Sequence, residues 1–178
     1  GLGYTLPTAL ADLVDNSIAA NSGEVAIHLE WAGLESWVRI VDDGDGMDDA
    51  ALDAGMRLGA RDPRAERAAS DLGRFGLGLK TASFSQARRL TVASRRNGGP
   101  VVCLRWDLDL IGQEPGAEWP LFEGPAQGSE HLLAPLEQMD HGTIILWEKL
   151  DRIVTDGFAA TDMIELADHV EAHLAMTF

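Results

Sequence analysis

The stretch DLGRFGLGLKTASFSQARRLTVASR, residues 71–95, decides how this chain is read. Its three glycines, Gly73, Gly76 and Gly78, are spaced to leave successive backbone N–H groups free to face an anion. Residues 77–87 continue at helical spacing, which sets the positive end of a helix dipole at the same place, and Lys80 adds a point charge. Residues 89–94 then read as a strand. Two familiar phosphate loops fail here. A P-loop needs Gly-Lys-Ser/Thr, and Leu79 separates Gly78 from Lys80; the dinucleotide fingerprint needs a further glycine. A glycine-rich helix start without any ligand is the plain alternative.

Working outward toward the N-terminus, residues 8–20 read as a helix. Leu10, Leu13, Val14, Ser17 and Ile18 form one stripe, while Asp12 and Asn16, four apart, share another face. Asn21, Ser22 and Gly23 end it. An Asn amide oxygen is a hard, neutral ligand suited to Mg²⁺. Asp12, one turn earlier, is placed to orient and deprotonate a water. A solvated helix face carries the same spacing. Strands at 24–31 and 37–41, joined by a turn at 32–36, lead into Asp42-Asp43-Gly44-Asp45-Gly46-Met47. A carboxylate where an apolar strand stops, Asp42, can accept from an adenine amino group. Gly44 and Gly46 let the backbone turn close to a ligand, and Met47 offers a soft surface to a ring. The alternatives are an acidic turn or a calcium loop; counted from Asp43, the twelfth position of such a loop is Ala54 and not the required Glu.

The remaining elements are ordinary. Asp48 is placed to cap a helix reaching Met56. Residues 58–72, rich in Arg, Ala and Asp and lacking an apolar stripe, read as a mobile segment. Asn97-Gly98-Gly99 turns into a strand at 101–107. Residues 110–141 are punctuated by Pro and Gly and resist assignment. A strand at 143–148 and an amphipathic helix at 156–175, with Met163, Ile164, Leu166, Ala167, Val170 and Leu174 apolar, close the chain. Strands and helices without regular βαβ alternation predict an α+β, two-layer α/β sandwich.

At 178 residues, 46% hydrophobic and 24% charged, the chain suits one domain, 1–178, with a sizeable core. Its net charge of -15 argues against a broad nucleic-acid face, leaving any such contact to domains outside the chain. The same charge obliges a polyanion site to supply metal and backbone N–H groups. The single cysteine, Cys103, permits no internal disulfide and reads as a core residue, which suits a reducing cytoplasm. No apolar stretch nears the roughly 20 residues of a membrane helix, and no signal peptide is visible. The opening at Gly1 without Met suggests a piece of a longer protein. The five histidines show no zinc spacing and no Ser-His-Asp set.

Three boxes in one order resemble those of the GHKL ATPases, which include DNA gyrase B subunits, heat-shock chaperones, histidine kinases and MutL mismatch-repair proteins. The strings ALADLVDNSIAA, DLGRFGLGLKTASFSQARRLTVASR and HGTIILWEKLDR carry the likeness from about residue 3 to 152, closest to bacterial MORC-like or chaperone-like ATP-binding proteins. The resemblance implies a Bergerat fold: helices over one face of a mixed, mostly antiparallel sheet. It implies ATP and Mg²⁺ as ligands, with Asn16 on the metal and Asp42 on adenine, Gly44, Gly46 and Met47 beside it. It places Gly73, Arg74, Phe75, Gly76, Leu77, Gly78 and Lys80 at the phosphates. Thr143 would reach adenine through water, and an ATP lid would span about 58–75.

One departure bears on catalysis. Hydrolytic relatives carry Glu where this chain has Asp12, and Asp is shorter by one C–C bond, about 1.5 Å. A misplacement on the order of 1 Å costs about a hundredfold in rate. The following domain that supplies a γ-phosphate lysine in many relatives is not seen in this sequence. The leading expectation is therefore slow Mg²⁺-dependent hydrolysis of ATP to ADP and phosphate, coupled to lid closure and homodimerisation in a larger protein. A non-hydrolytic ATP-sensing module is the second expectation. A histidine-kinase catalytic domain is the third, disfavoured by the acid at position 12 and by the missing phosphoacceptor helix.

Overall fold

The computed structural model describes residues 4–58, 71–110 and 120–178. Helix α1 (Leu6–Ala19) starts two residues before the expected residue 8, with Leu6 buried and extending the Leu10 stripe by one turn. Thr5 is extended and its Oγ1 accepts the Thr8 N–H at 3.4 Å, while Pro7 sits in the first turn, where no N–H is needed. The helix ends where Asn21 turns to φ 65°. The turn of helix near Asp48 also forms as expected: its Oδ1 accepts the Ala51 N–H at 2.8 Å and opens α2 (Asp49–Leu58).

Six strands make one sheet: β1 (Val25–Glu30), β2 (Trp37–Asp42), β3 (Arg89–Arg95), β4 (Val102–Asp107), β5 (Phe122–Glu123) and β6 (Gly142–Glu148). The order is β1-β2-β6-β3-β4-β5, and every neighbouring pair is antiparallel. Because side chains alternate between faces, the register sorts one face into three rows. Val38, Trp147, Leu90 and Trp106 form an aromatic-rich row, and Ile40, Ile145, Val92 and Leu104 an aliphatic one. At the end of the sheet Asp42, Thr143 and Ser94 form a polar row.

This face carries α1, α2, α3 (Asp71–Phe84) and α5 (Ala160–Thr177), whose Leu10, Leu13, Leu52, Met56, Leu79 and Val170 bury against it. Trp147 Nε1 donates to Ser83 Oγ at 2.8 Å, tying α3 to β6 inside the core. The two-layer α+β expectation holds, with the long helices on this one face and a short addition on the other. A 3-10 turn (Glu130–Leu133) and the short α4 (Ala134–Glu137) cover the opposite face, where Leu133 and Leu136 pack on Ala93 and Ile144. That face is too apolar to leave to water. Cys103 lies there, half-buried, and burial pushes its thiol up to about 12, so it remains an uncharged packing group.

Two further expectations change. The chain is already helical at Asp71, so Gly73, Gly76 and Gly78 lie within α3 and not in a loop ahead of residue 77. Glycine costs a helix interior about 1 kcal/mol each, but Phe75, Leu79 and Ala82, spaced by four and three, pack on the core and override that cost. In α5, Ile164 is exposed; Met163 and Val170 are its buried residues. Residues 59–70 of the expected lid lie outside the described residues.

Candidate functional site

The polar row is where the helix layer stands open. β2 delivers Asp42 to its last position, 5% exposed, beside the C-terminal half of α1. Ser17 Oγ donates to Asp42 Oδ2 at 2.8 Å and the Gly44 N–H to Oδ1 at 2.9 Å. An ionised carboxylate has about four acceptor sites, so capacity remains. The loop after Asp42 docks on the end of α1. Asp45 N–H donates to Ala20 O, Asn21 Nδ2 to Asp45 Oδ2, and the N–H groups of Gly23 and Glu24 to Asp43 Oδ1. The Glu24 N–H, first, and then that of Gly23 hold the Asp43 carboxyl below its ordinary range.

Backbone crowding dictates the glycines of this loop. Gly46 has φ +74°, and a Cβ there would stand 1.9 Å from Arg95 O. Gly44 lies under the site, and its Cβ would come within 2.8 Å of Ala20 O. Beyond Gly46, the Met47 N–H donates to Ser94 Oγ at 2.8 Å. Ser94 and Thr143 share a hydroxyl hydrogen bond of 2.8 Å. From the other side, His141 Nδ1 lies 2.6 Å from Gly44 O; a carbonyl only accepts, so this nitrogen carries the proton.

These pieces enclose a cavity of about 230 Å³, lined among others by Asn16, Asp42, Gly46, Met47, Phe75 and Thr143. The structure thus brings six of the sequence-predicted residues, from α1, the β2 loop, α3 and β6, to one opening. Asn16 Nδ2 is buried with no hydrogen-bond partner among the described residues, leaving an amide the fold does not consume. Asp12, one turn earlier, is not a lining residue: its Oδ2 accepts the Tyr4 hydroxyl at 2.8 Å. Gly76, Leu77, Gly78 and Lys80 lie further along α3, outside the lining. Gly73 and Arg74 are in its first turn, and the side chains of residues 71–74 lie outside the described residues.

Beside the apolar Ala19, Ala20 and Ile145, three lining residues with polar side chains escaped the sequence reading. Ser17 sits in the apolar stripe of α1, and a polar residue at a core position must find a partner; that signal was available. Asp45 belongs to the recognised loop. Arg96 had no signal: alternation along β3 returns it to the Ser94 side, where its Nη1 lies 3.5 Å from Asp48 Oδ2. It is the one cation among the described lining residues. Ser94 is a fourth omission, below the lining, fixing both Met47 and Thr143.

Among the described residues no helix is long and apolar enough to cross a membrane, and no group of three His, Cys, Asp or Glu side chains could hold a metal ion. The family described as histidine kinase-, DNA gyrase B-, and HSP90-like ATPase matches residues 4–143. A segment of 40 residues, 22% of this chain, is 55% identical to the DNA mismatch repair protein MutL of Bacillus anthracis and, equally, to those of Bacillus mycoides and Bacillus cereus. That match spans 6% of the length of those proteins. The crystal structure of the N-terminal domain of a DNA repair protein superposes with a TM-score of 0.52 at 19% identity, over 97% of this chain and 43% of that one. That likeness is one of fold.

Proposed function

The chain belongs to the histidine kinase-, DNA gyrase B-, and HSP90-like ATPase family, and we propose that its cavity binds ATP with Mg²⁺ and that the site hydrolyses ATP slowly to ADP and phosphate. The observation that carries this reading is Asp42: buried, pinned by Ser17 and Gly44, lining the cavity and in register with Thr143. Its spare acceptor capacity suits the adenine amino group. Gly46 and Met47 flank the base, and Thr143 reaches it through water. The unconsumed amide of Asn16 fits a metal ligand, since its oxygen and nitrogen exchange by a simple turn of the group. Mg²⁺ held there would neutralise phosphate charge, which a chain of net charge -15 cannot do alone.

The phosphates are then met by the stretch Gly73, Arg74, Phe75, Gly76, Leu77, Gly78 and Lys80, in which only the first-turn residues of α3, up to Arg74, keep N–H groups outside the helix ladder, while the later glycines would serve close approach and not N–H donation. Gly78 supports this. Nothing stands within 4 Å of where its Cβ would be, so packing does not require a glycine there. Asp12 is the base that takes a proton from the attacking water. The unit is one ATP-binding domain, 1–178, of a longer protein, in which nucleotide closes the lid at about 58–75 and favours a homodimer.

The test is steady-state ATP turnover with Mg²⁺, with nucleotide affinity, for the chain and for Asp12→Asn. Turnover lost in the variant while affinity persists is the expected result. A second reading, an ATP-sensing module without hydrolysis, draws on Asp12 engaging Tyr4 outside the cavity lining. It predicts tight Mg-ATP binding and negligible turnover in both proteins. Absence of ATP binding overturns both.

A further inference from the structure

We propose that Tyr4 is a positioning residue for Asp12, holding one carboxylate oxygen so that the other is presented to the attacking water; this rests on the assignment of Asp12 above. Tyr4 lies just ahead of α1, and its side chain runs along the helix to place its hydroxyl 2.8 Å from Asp12 Oδ2. Its ring packs against the core, half-buried. Its backbone is held as well: Gln86 Nε2, beyond the end of α3 and only 4% exposed, donates to Tyr4 O at 3.2 Å. The residue is thus fixed at its carbonyl by one element and at its hydroxyl by another.

The chemistry explains why an aspartate would need such help. An Asp side chain has one fewer bond than Glu with which to reach a water, and a freely rotating carboxylate would spend little time in the one productive orientation. A donor on Oδ2 selects a rotamer and leaves Oδ1 with its lone pairs free. Supporting groups of this kind hold a functional side chain within a fraction of an ångström. The same contact acts back on the phenol. The hydrogen bond to Asp12, then burial, then the carboxylate's charge raise the Tyr4 hydroxyl above its ordinary value, so it stays a donor across the working pH range. The arrangement also links α3, which carries the glycine-rich stretch, to α1 through Gln86 and Tyr4.

The chain contains one tyrosine, so phenolate absorbance reports Tyr4 alone. The first measurement is its ultraviolet titration in the full chain and in Asp12→Ala. The midpoint is expected to fall in the variant toward the free-phenol value of about 10. An unchanged midpoint overturns the contact, whether or not the protein hydrolyses ATP. The second is Tyr4→Phe, which keeps the ring. It should lower kcat about tenfold, with ATP affinity and thermal midpoint unchanged. Unchanged or raised kcat overturns the positioning role, and so does a fall in kcat accompanied by weaker affinity or a lower thermal midpoint, which marks a structural residue. Wild-type protein that binds ATP without turnover, with the titration shift present, fails the hydrolytic assignment of Asp12 and takes the positioning role down with it, while leaving the contact standing.

Discussion

The two ends of the sheet carry polar side chains to opposite effect. At one end Asp42, Thr143 and Ser94 line up across β2, β6 and β3 and border an open cavity. At the other, Glu148, Arg89 and Asp107 line up across β6, β3 and β4 and close on each other. Arg89 Nε donates to Asp107 Oδ2 at 3.1 Å and Lys149 Nζ to Asp109 Oδ2 at 2.7 Å, while Arg88 Nε reaches Asp109 Oδ1 at 2.7 Å. The Asp107 side chain is 3% exposed and Arg89 20%. Carboxylates paired with Arg88, Arg89 and Lys149 hold this end of the sheet together, whereas polar groups that keep capacity toward a cavity are available to a ligand. The difference is one of partners and not of residue type, since an aspartate anchors both ends.

Substitutions sharpen that contrast. The largest effect is expected at Gly46→Ala, where a Cβ 1.9 Å from Arg95 O and a φ of +74° cannot both be relieved. A loss of about 3 kcal/mol of folding stability should appear in urea unfolding. Asp42→Asn keeps one acceptor oxygen for Ser17 but sets its NH2 against the Gly44 N–H, so it should cost about 1–2 kcal/mol of stability, less than Gly46→Ala. It turns a donor toward the adenine amino group, and titration calorimetry should show ATP affinity falling by about a hundredfold, roughly 2.7 kcal/mol.

Asp107→Asn should cost about 2 kcal/mol of stability with ATP affinity unchanged. It also tests the acid response. Burial alone would push the Asp107 carboxyl up, but the hydrogen bond from Arg89, the Asp109 N–H and the charge of Lys149 outweigh it and hold the group low. A carboxylate lowered in the folded state stabilises the fold above its unfolded value, near 3.9. That stability is lost as pH falls through the folded value. The urea midpoint should therefore be flat above about pH 5, decline below pH 4, and decline less steeply in the variant. Equal acid limbs for the two proteins would remove Asp107 from the account.

The smallest effect separates function from fold most cleanly. Gly78→Ala adds a methyl to open space in a helix interior, so it should stabilise the protein by about 0.8 kcal/mol. If the glycine-rich stretch receives phosphates, the same change weakens ATP while leaving adenosine unaffected. Stabilised protein with unchanged ATP affinity would detach Gly78 from the site.

Local chemistry explains what the sequence by itself determined. Strand and helix periods, the Asp48 cap and the Asn21 stop act over a few residues, so the two-layer class and the elements outside residues 110–141 were legible in order. Asn16, Asp42 and Thr143, which the sequence singles out because each pairs a particular polar group with an apolar frame, come to one cavity. Three matters waited for tertiary structure. The glycines of residues 73–78 are helical because Phe75, Leu79 and Ala82 bury on neighbouring elements, a gain that no local propensity contains. Arg96 joins the lining and Ser94 supports it from below because antiparallel register sets β3 beside β6 and alternation puts both on the Thr143 side. Tyr4 meets Asp12 only after Gln86 and the core fix where the chain enters α1. Propensity and capping are properties of neighbours in sequence, while these contacts are made by residues that only folding brings together.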